Sequence, residues 1–436
     1  MSDRRTFLQQ LGVTSTAFAA GQFFNPLQAT EVRDAGKKIA HLTPEEAARE
    51  EDYWYTIQQA YTVSPTLINL NNGGVSPQPL VVQEGQWKYI QMANEGPSYY
   101  MWRILDMGRE PLRARLAALA GCSPEEIAMN RNSTEALDNA IFGIELQAGD
   151  EVILTKQDYP NMINAWKARE KRHGIKLVWL DLTLPSEDEN YFVKMFTEAM
   201  TEKTKVLHIT HMINWNGQLL PVPKISDAAR SKNPAIKIIA DCAHTFAHLD
   251  FKVPDLGADY VGMSLHKWLC APFGTGMLYA KKDQIAALWP LFPGDKPDSE
   301  DIRKFEAQGT RSFPAEEAIG YAINFHEAIG IERKYARLQY LKEYWTSRVK
   351  DVPGVKIHSP LSAGWSGALC GFSIDGWEIA AIDSELLNKY KIHTVGINWE
   401  NIHCVRVTPH VYTTIANLDK FVGAIKDMAA NLPKPK

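Results

Sequence analysis

The chain has 436 residues, enough for roughly two or three domain-sized units. Hydrophobic residues make up 45% and charged residues 22%, which argues against a disordered or membrane-embedded chain. The formal net charge is −4 and no block of like charge occurs, so nucleic acid is not an expected partner. The five cysteines (Cys122, Cys242, Cys270, Cys370 and Cys404) are odd in number and show no Cys-x-x-Cys spacing. Neither a structural metal site nor a full disulfide framework is expected from them.

The chain opens with Arg4-Arg5-Thr6-Phe7-Leu8, then a mildly apolar stretch from Leu11 to Phe24. Ala17-Phe18-Ala19 has the small-x-small form of a cleavage site. This segment resembles a twin-arginine export signal, which implies passage of the folded protein through the twin-arginine translocation machinery. The expected location is therefore periplasmic or secreted. Residues 1–30 are set aside from fold reasoning, and no other run approaches the ~18 apolar residues of a membrane span.

Residues 31–66 read as an N-terminal helical segment. From Pro44 to Tyr61 charged and aromatic residues recur at helical spacing, with Thr43 placed to cap. A short strand, Leu67 to Leu70, then stops at Asn71-Asn72-Gly73-Gly74. Seven apolar runs follow, at Glu126–Met129, Glu151–Thr155, Lys176–Leu180, Lys205–Thr210, Ile236–Ala240, Tyr260–Ser264 and Gly276–Ala280. They alternate with amphipathic stretches such as Ser133 to Phe142 and Pro160 to Arg172. Short Val/Ile/Leu-rich runs alternating with helices predict a large, doubly wound, mostly parallel α/β domain over residues 67–315. From Glu316 to about Lys350 a long helical stretch is broken only by Gly330. Strands at Gly371–Ile374 and Val405–Thr408 and helices at Ile379–Tyr390 and Leu418–Leu432 complete a smaller α+β domain, so that residues 316–436 form the linking helix and C-terminal domain.

In an α/β sheet, ligands bind beyond the C-terminal strand ends. Three strand ends carry chemistry. Ser264-Leu265-His266-Lys267 places an amine there, and desolvation would make it nucleophilic. A single lysine after a strand is more often a solvated surface residue. Asp241-Cys242-Ala243-His244 places a carboxylate at the preceding strand end, suited to a protonated ring nitrogen or to capping a helix. Asn132-Ser133-Thr134-Glu135 sits between strand and helix, where backbone N–H groups bind phosphate or a cap closes on itself.

Taken together, these motifs resemble the fold-type I pyridoxal-phosphate enzymes. More narrowly they resemble the class V aminotransferase family, which includes isopenicillin N epimerase-like proteins and cysteine desulfurases. The resemblance implies pyridoxal 5'-phosphate as cofactor and Lys267 as its Schiff-base lysine. It also implies Asp241 on the pyridine nitrogen, His244 at the ring hydroxyl, and Ser133, Thr134, Ser264 and His266 around the phosphate. Gln157-Asp158-Tyr159-Pro160 resembles the loop whose ring stacks on the cofactor, here Tyr159. His211 to Gly217 resembles the stretch bringing Asn214 to the cofactor. Gly309-Thr310 resembles a pair reaching the neighbouring subunit's phosphate, which implies a homodimer with shared active sites. Cys404 to His410 resembles the C-terminal strand whose arginine, here Arg406, binds a substrate carboxylate. Asn72 is expected to face substrate, and Arg103, Arg311, Tyr99, Tyr100 and Trp102 are further candidates to shape the pocket.

The expected function is amino acid or amine chemistry through Lys267, of the aminotransferase or epimerase-like kind. One alternative is a pyridoxal-phosphate-dependent C–S β-lyase, and another is a non-catalytic protein of the same fold. His393 to Glu400 has no cysteine to accept sulfur, which argues against a desulfurase. Cys404 is expected in the strand, on the same side as Arg406.

Overall fold

A computed structural model describes residues 29–431. The export-signal motif at the N-terminus lies outside the described residues; Ala29 and Thr30, at its predicted end, begin a helix, Ala29–Lys38. Thr43 caps the next helix, accepting from the Glu46 backbone N–H while the Glu46 carboxylate accepts from the Thr43 N–H. The helical stretch it opens divides into Pro44–Ala47 and Glu51–Gln59.

A seven-stranded sheet dominates the fold. Its strands are β1 (Ile127–Asn130), β2 (Glu151–Thr155), β3 (Lys176–Leu180), β4 (Thr204–Thr210), β5 (Lys237–Asp241), β6 (Tyr260–Ser264) and β7 (Gly276–Ala280). The spatial order is β1-β7-β6-β5-β4-β2-β3. Only β7 runs antiparallel to its neighbours. The strands read as apolar runs because both faces are covered. Alternate residues face opposite ways, so Ala128, Leu154, Val206 and Ile239 pack under helices Ser133–Gly143 and Pro160–His173. Met129, Ile153, Leu207 and Ile238 enter the core on the opposite face, which includes Ile225, Ile319 and Ile323.

The long helical stretch is two helices, Phe313–Ile329 and Ile331–Val349, separated at Gly330 with φ +86°. The C-terminal part carries a four-stranded antiparallel sheet of β8 (Val355–Ile357), β9 (Cys370–Ile374), β10 (Val395–Trp399) and β11 (Ile402–Val407), in the order β10-β11-β9-β8. Helices Ile379–Asn388 and Ile415–Ala430 contribute Ile382, Leu386, Phe421 and Ile425 to its core. Two of these strands, β8 and β10, were absent from the sequence-based expectation. The short strand at Ile68–Asn69, expected to open the large domain, pairs in parallel with Ile392–His393 of the C-terminal part. Leu70 is buried in that part's core.

The start of β1 is held by charge. Glu306 receives Arg113 at 2.5 and 3.0 Å, Arg109 at 3.1 Å and the Met129 backbone N–H at 2.6 Å, all in a buried setting. Removing one partner of such a cluster leaves the others desolvated and unmatched. Glu306→Ala is therefore expected to cost about 3–5 kcal/mol of stability, measured by urea unfolding. A loss below about 1 kcal/mol would show that water replaces the carboxylate at little cost.

Candidate active site

The parallel strands end on one edge, and a cavity of about 450 Å³ opens there. Ser133, Thr134, Tyr159, Asn214, Asp241, His244, Ser264, His266, Lys267 and Arg406 all line it. Ten residues singled out from sequence, spread over more than 270 positions of chain, thus meet at one place. The cause is topological: Thr210, Asp241 and Ser264 end neighbouring parallel strands, with Thr210 opposite Asp241 in register.

At one end of the cavity Asn132 caps the helix that begins at Ser133, accepting from the Glu135 N–H at 2.8 Å. Ser264 Oγ donates to Ser133 Oγ at 2.8 Å, which joins the end of β6 to the helix N-terminus. Gly276 lies under this turn, and a Cβ there would stand 2.4 Å from Asn132 Cα. The close approach of backbone to backbone requires glycine. Hydroxyls gathered at the N-terminus of a helix suit an anion.

Lys267 Nζ lies 3.0 Å from His244 Nε2. Burial pushes the Lys267 amine down to about 8, opposed by the attraction of Asp241. Burial likewise holds His244 well below the usual imidazole range, with the Lys267 charge adding to the effect. Burial raises Asp241; the Ala243 N–H and Lys267 pull it back. Behind the lysine, the turn is closed by Cys270 N–H donating to Lys267 O at 3.1 Å. The Trp268 ring lies between His248 and His410, with centroids 3.7 and 5.4 Å away. Lys334 Nζ donates to the Trp268 carbonyl.

Arg406 comes from β11 and is 7% exposed. Its Nη1 donates to Asn214 O at 2.8 Å and its Nη2 to Asn71 Oδ1 at 3.1 Å. Gly73 passes so close that a Cβ would meet Thr408 Oγ1 at 3.1 Å and Arg406 Cζ at 3.5 Å. Arg406 Nε, Asn214 Oδ1 and His244 Nδ1 are buried without partners. Native proteins seldom leave such atoms unsatisfied. Together with the anion-binding turn, the buried amine and the lone carboxylate, they fit pyridoxal phosphate: a phosphate, an aldehyde and a ring nitrogen each find a matching group.

Two expected residues stand elsewhere. Asn72 is fully buried and does not line the cavity; its amide accepts from Tyr412 Oη at 2.6 Å and donates to Thr408 O at 2.8 Å. The neighbouring Asn71 is the one that touches Arg406. Thr310 is exposed and does not line the cavity of its own chain. Arg103, Arg311, Tyr99, Tyr100 and Trp102 do not line it either. Cys404 is buried, with Sγ near Trp215 O and over Gly371, and does not reach the cavity. Sequence reasoning missed Val395, Ile397 and Trp215, which do line it. The period-two alternation of Val395, Ile397 and Trp399 was the available signal. It also missed Asp158, a fully buried carboxyl raised to about 7 by burial and hydrogen-bonded by Thr210 Oγ1 at 2.7 Å.

Comparison with known proteins agrees with this geometry. The chain is 27% identical over 395 residues to isopenicillin N epimerase of Amycolatopsis lactamdurans, covering 86% of this chain and 98% of that one. It is 27% identical to a probable cysteine desulfurase of Synechocystis sp., covering 71% and 76% respectively. Among solved structures, a cystine C–S lyase in complex with cysteine persulfide matches with a TM-score of 0.75 at 23% identity, over 83% of this chain and 98% of that one. The cysteine desulfurase of Thermococcus onnurineus matches with a TM-score of 0.73 at 19% identity, over 86% and 97%. The family model for aminotransferase class-V matches residues 70–421. The chain therefore belongs to the aminotransferase class-V family of pyridoxal-phosphate-dependent enzymes.

Proposed function

We propose that this enzyme acts on an α-amino acid by transamination or epimerisation, with Lys267 as its attachment and proton-transfer group. The observation that carries the reading is the buried Lys267 amine beside His244 and within the field of Asp241. When bound, pyridoxal phosphate supplies an aldehyde that condenses with amines and a ring that takes up electron density from the α-carbon.

The chain's own residues do the rest. Ser133, Thr134, Ser264 and the helix N-terminus hold the phosphate. Asp241 holds the proton on the ring nitrogen through a charge-assisted bond. His244 lies against the lysine, and Tyr159 and Asn214, on the cavity wall, would contact the ring. Arg406 takes the substrate carboxylate, which fixes the α-carbon relative to Lys267. Lys267 Nζ, as a free amine facing the α-carbon, would take the α-proton as a general base. Its lowered proton affinity leaves a useful fraction of free amine near neutral pH. Among the described residues no cysteine lines the cavity, which supports these reactions over transfer of sulfur to the protein.

The same reading places the enzyme in the periplasm or outside the cell, carried there through the twin-arginine route; the Arg4-Arg5 motif supports this. It also makes the active unit a homodimer, with Thr310 serving the partner's phosphate. The exposed Trp87, Tyr99, Trp102, Met107, Phe273 and Trp289 support a covering second copy.

Purified enzyme is expected to show a near-visible absorption band that borohydride abolishes and that Lys267→Ala lacks. An unchanged band in the variant would end the assignment. Loading of cofactor-free protein is expected to accelerate with pH around a midpoint near 8, because the amine is protonated below that value and free above it. A midpoint near that of an ordinary surface lysine would show an unburied amine. Arg406→Gln is expected to raise KM by roughly 10–100-fold, with a smaller change in kcat, since a charge-assisted carboxylate contact is lost. An unchanged KM would remove the carboxylate-binding role.

A further inference from the structure

The charges around the cavity are few. Asp241, Lys267 and Arg406 are the only Asp, Glu, Lys or Arg side chains among the described residues that line it. In the proposed function all three have assigned partners: the ring nitrogen, the cofactor aldehyde and the substrate α-carboxylate. The imidazoles add no cation, because burial holds His244 and His266 below their usual range. Arg311, the other buried candidate, is taken up by Glu316 and Asp106 and does not line the cavity. Arg103 is exposed and outside it.

Besides its polar braces Asn71 and Asn214, Arg406 has apolar neighbours on the cavity wall. Val395 is its direct partner across the β10–β11 ladder. Ile397 lies two residues along, on the same strand face. Trp215 follows Asn214, whose carbonyl accepts from Arg406 Nη1. The Trp215 ring stacks on Trp399 with centroids 5.2 Å apart, and its N–H donates to Gln157 O at 2.9 Å. Its polar atom is thus satisfied within the protein, and hydrocarbon is what remains to offer a ligand. A substrate held by its amine at Lys267 and by its carboxylate at Arg406 has one further large substituent, its side chain. Val395, Ile397 and Trp215 offer that substituent an apolar wall of the same cavity.

We infer that the substrate is a monocarboxylic α-amino acid with an uncharged, apolar side chain, and that Val395, Ile397 and Trp215 determine that preference. The inference rests on the proposed function and specifies its substrate class. A second carboxylate or a side-chain ammonium would meet no free counter-charge among the described residues that line the cavity, which is unfavourable. A longer apolar side chain gains contact instead.

The test uses the holoenzyme with racemic leucine, methionine and phenylalanine against racemic glutamate and lysine. Two readouts are taken: the Kd from the shift of the bound cofactor's absorption band, and kcat/KM for product formation. The apolar group is expected to be preferred by about a hundredfold or more in both. Val395→Arg is expected to raise the glutamate-to-leucine ratio by about tenfold or more, by supplying a partner for the second carboxylate. Val395→Ala, which introduces no charge, is expected to lower kcat/KM for leucine by roughly tenfold. Preference for glutamate or lysine, no response to any of the five amino acids, or unchanged leucine kinetics in Val395→Ala would each overturn the inference. Protein without the borohydride-sensitive band would instead overturn the proposed function, so the two failures are distinguishable.

Discussion

The site is organised around a buried amine. Lys267 is half-buried on the cavity wall, where desolvation disfavours a full positive charge, and Asp241 is the carboxylate that opposes this. Asp241 in turn sits at the end of β5, one strand away from the end of β6 that leads into the lysine. Parallel neighbours in register make this pairing automatic: strand ends that lie side by side bring their following residues side by side. An antiparallel arrangement would send one of the two to the opposite edge. The single antiparallel strand, β7, begins at the site edge opposite Ser264 and contributes Gly276, whose lack of a side chain lets the Asn132 turn settle on it.

Much of the large sheet was legible in the sequence because its strands are buried on both faces. Runs such as Glu151–Thr155, Tyr260–Ser264 and Gly276–Ala280 stand out from their flanks, and their ends match the observed strands. The C-terminal sheet was harder. In β10, Gly396 and Asn398 interrupt the apolar residues, and only the alternation of Val395, Ile397 and Trp399 marks a strand covered on one side. The three residues of β8 form too short a run to carry a signal.

The site itself divides in the same way. Motifs that are local in sequence, such as Ser264 to Lys267 and Asn132 to Thr134, could be placed because the strand before each one fixes where it points. Asn71 and Asn72 could not be told apart, since their orientation is set by pairing with residues more than 300 positions away. Asn71 bridges to Thr408, while Asn72 is drawn inward by Tyr412.

The short pairing of Ile68–Asn69 with Ile392–His393 has a mechanical consequence. It stitches the segment carrying Asn71 and Gly73 onto the same body that carries Arg406. On that body the arginine has a fixed brace, Asn71, while its other amino group reaches across to the Asn214 carbonyl of the large sheet's lobe. Arg406 is thus a rivet through the seam between two lobes, and in the proposed function it is also a handle for a carboxylate. On the proposed function, a ligand that gripped the handle would compete for the rivet, and occupancy of the pocket would then be tied to the fastening of one lobe to the other.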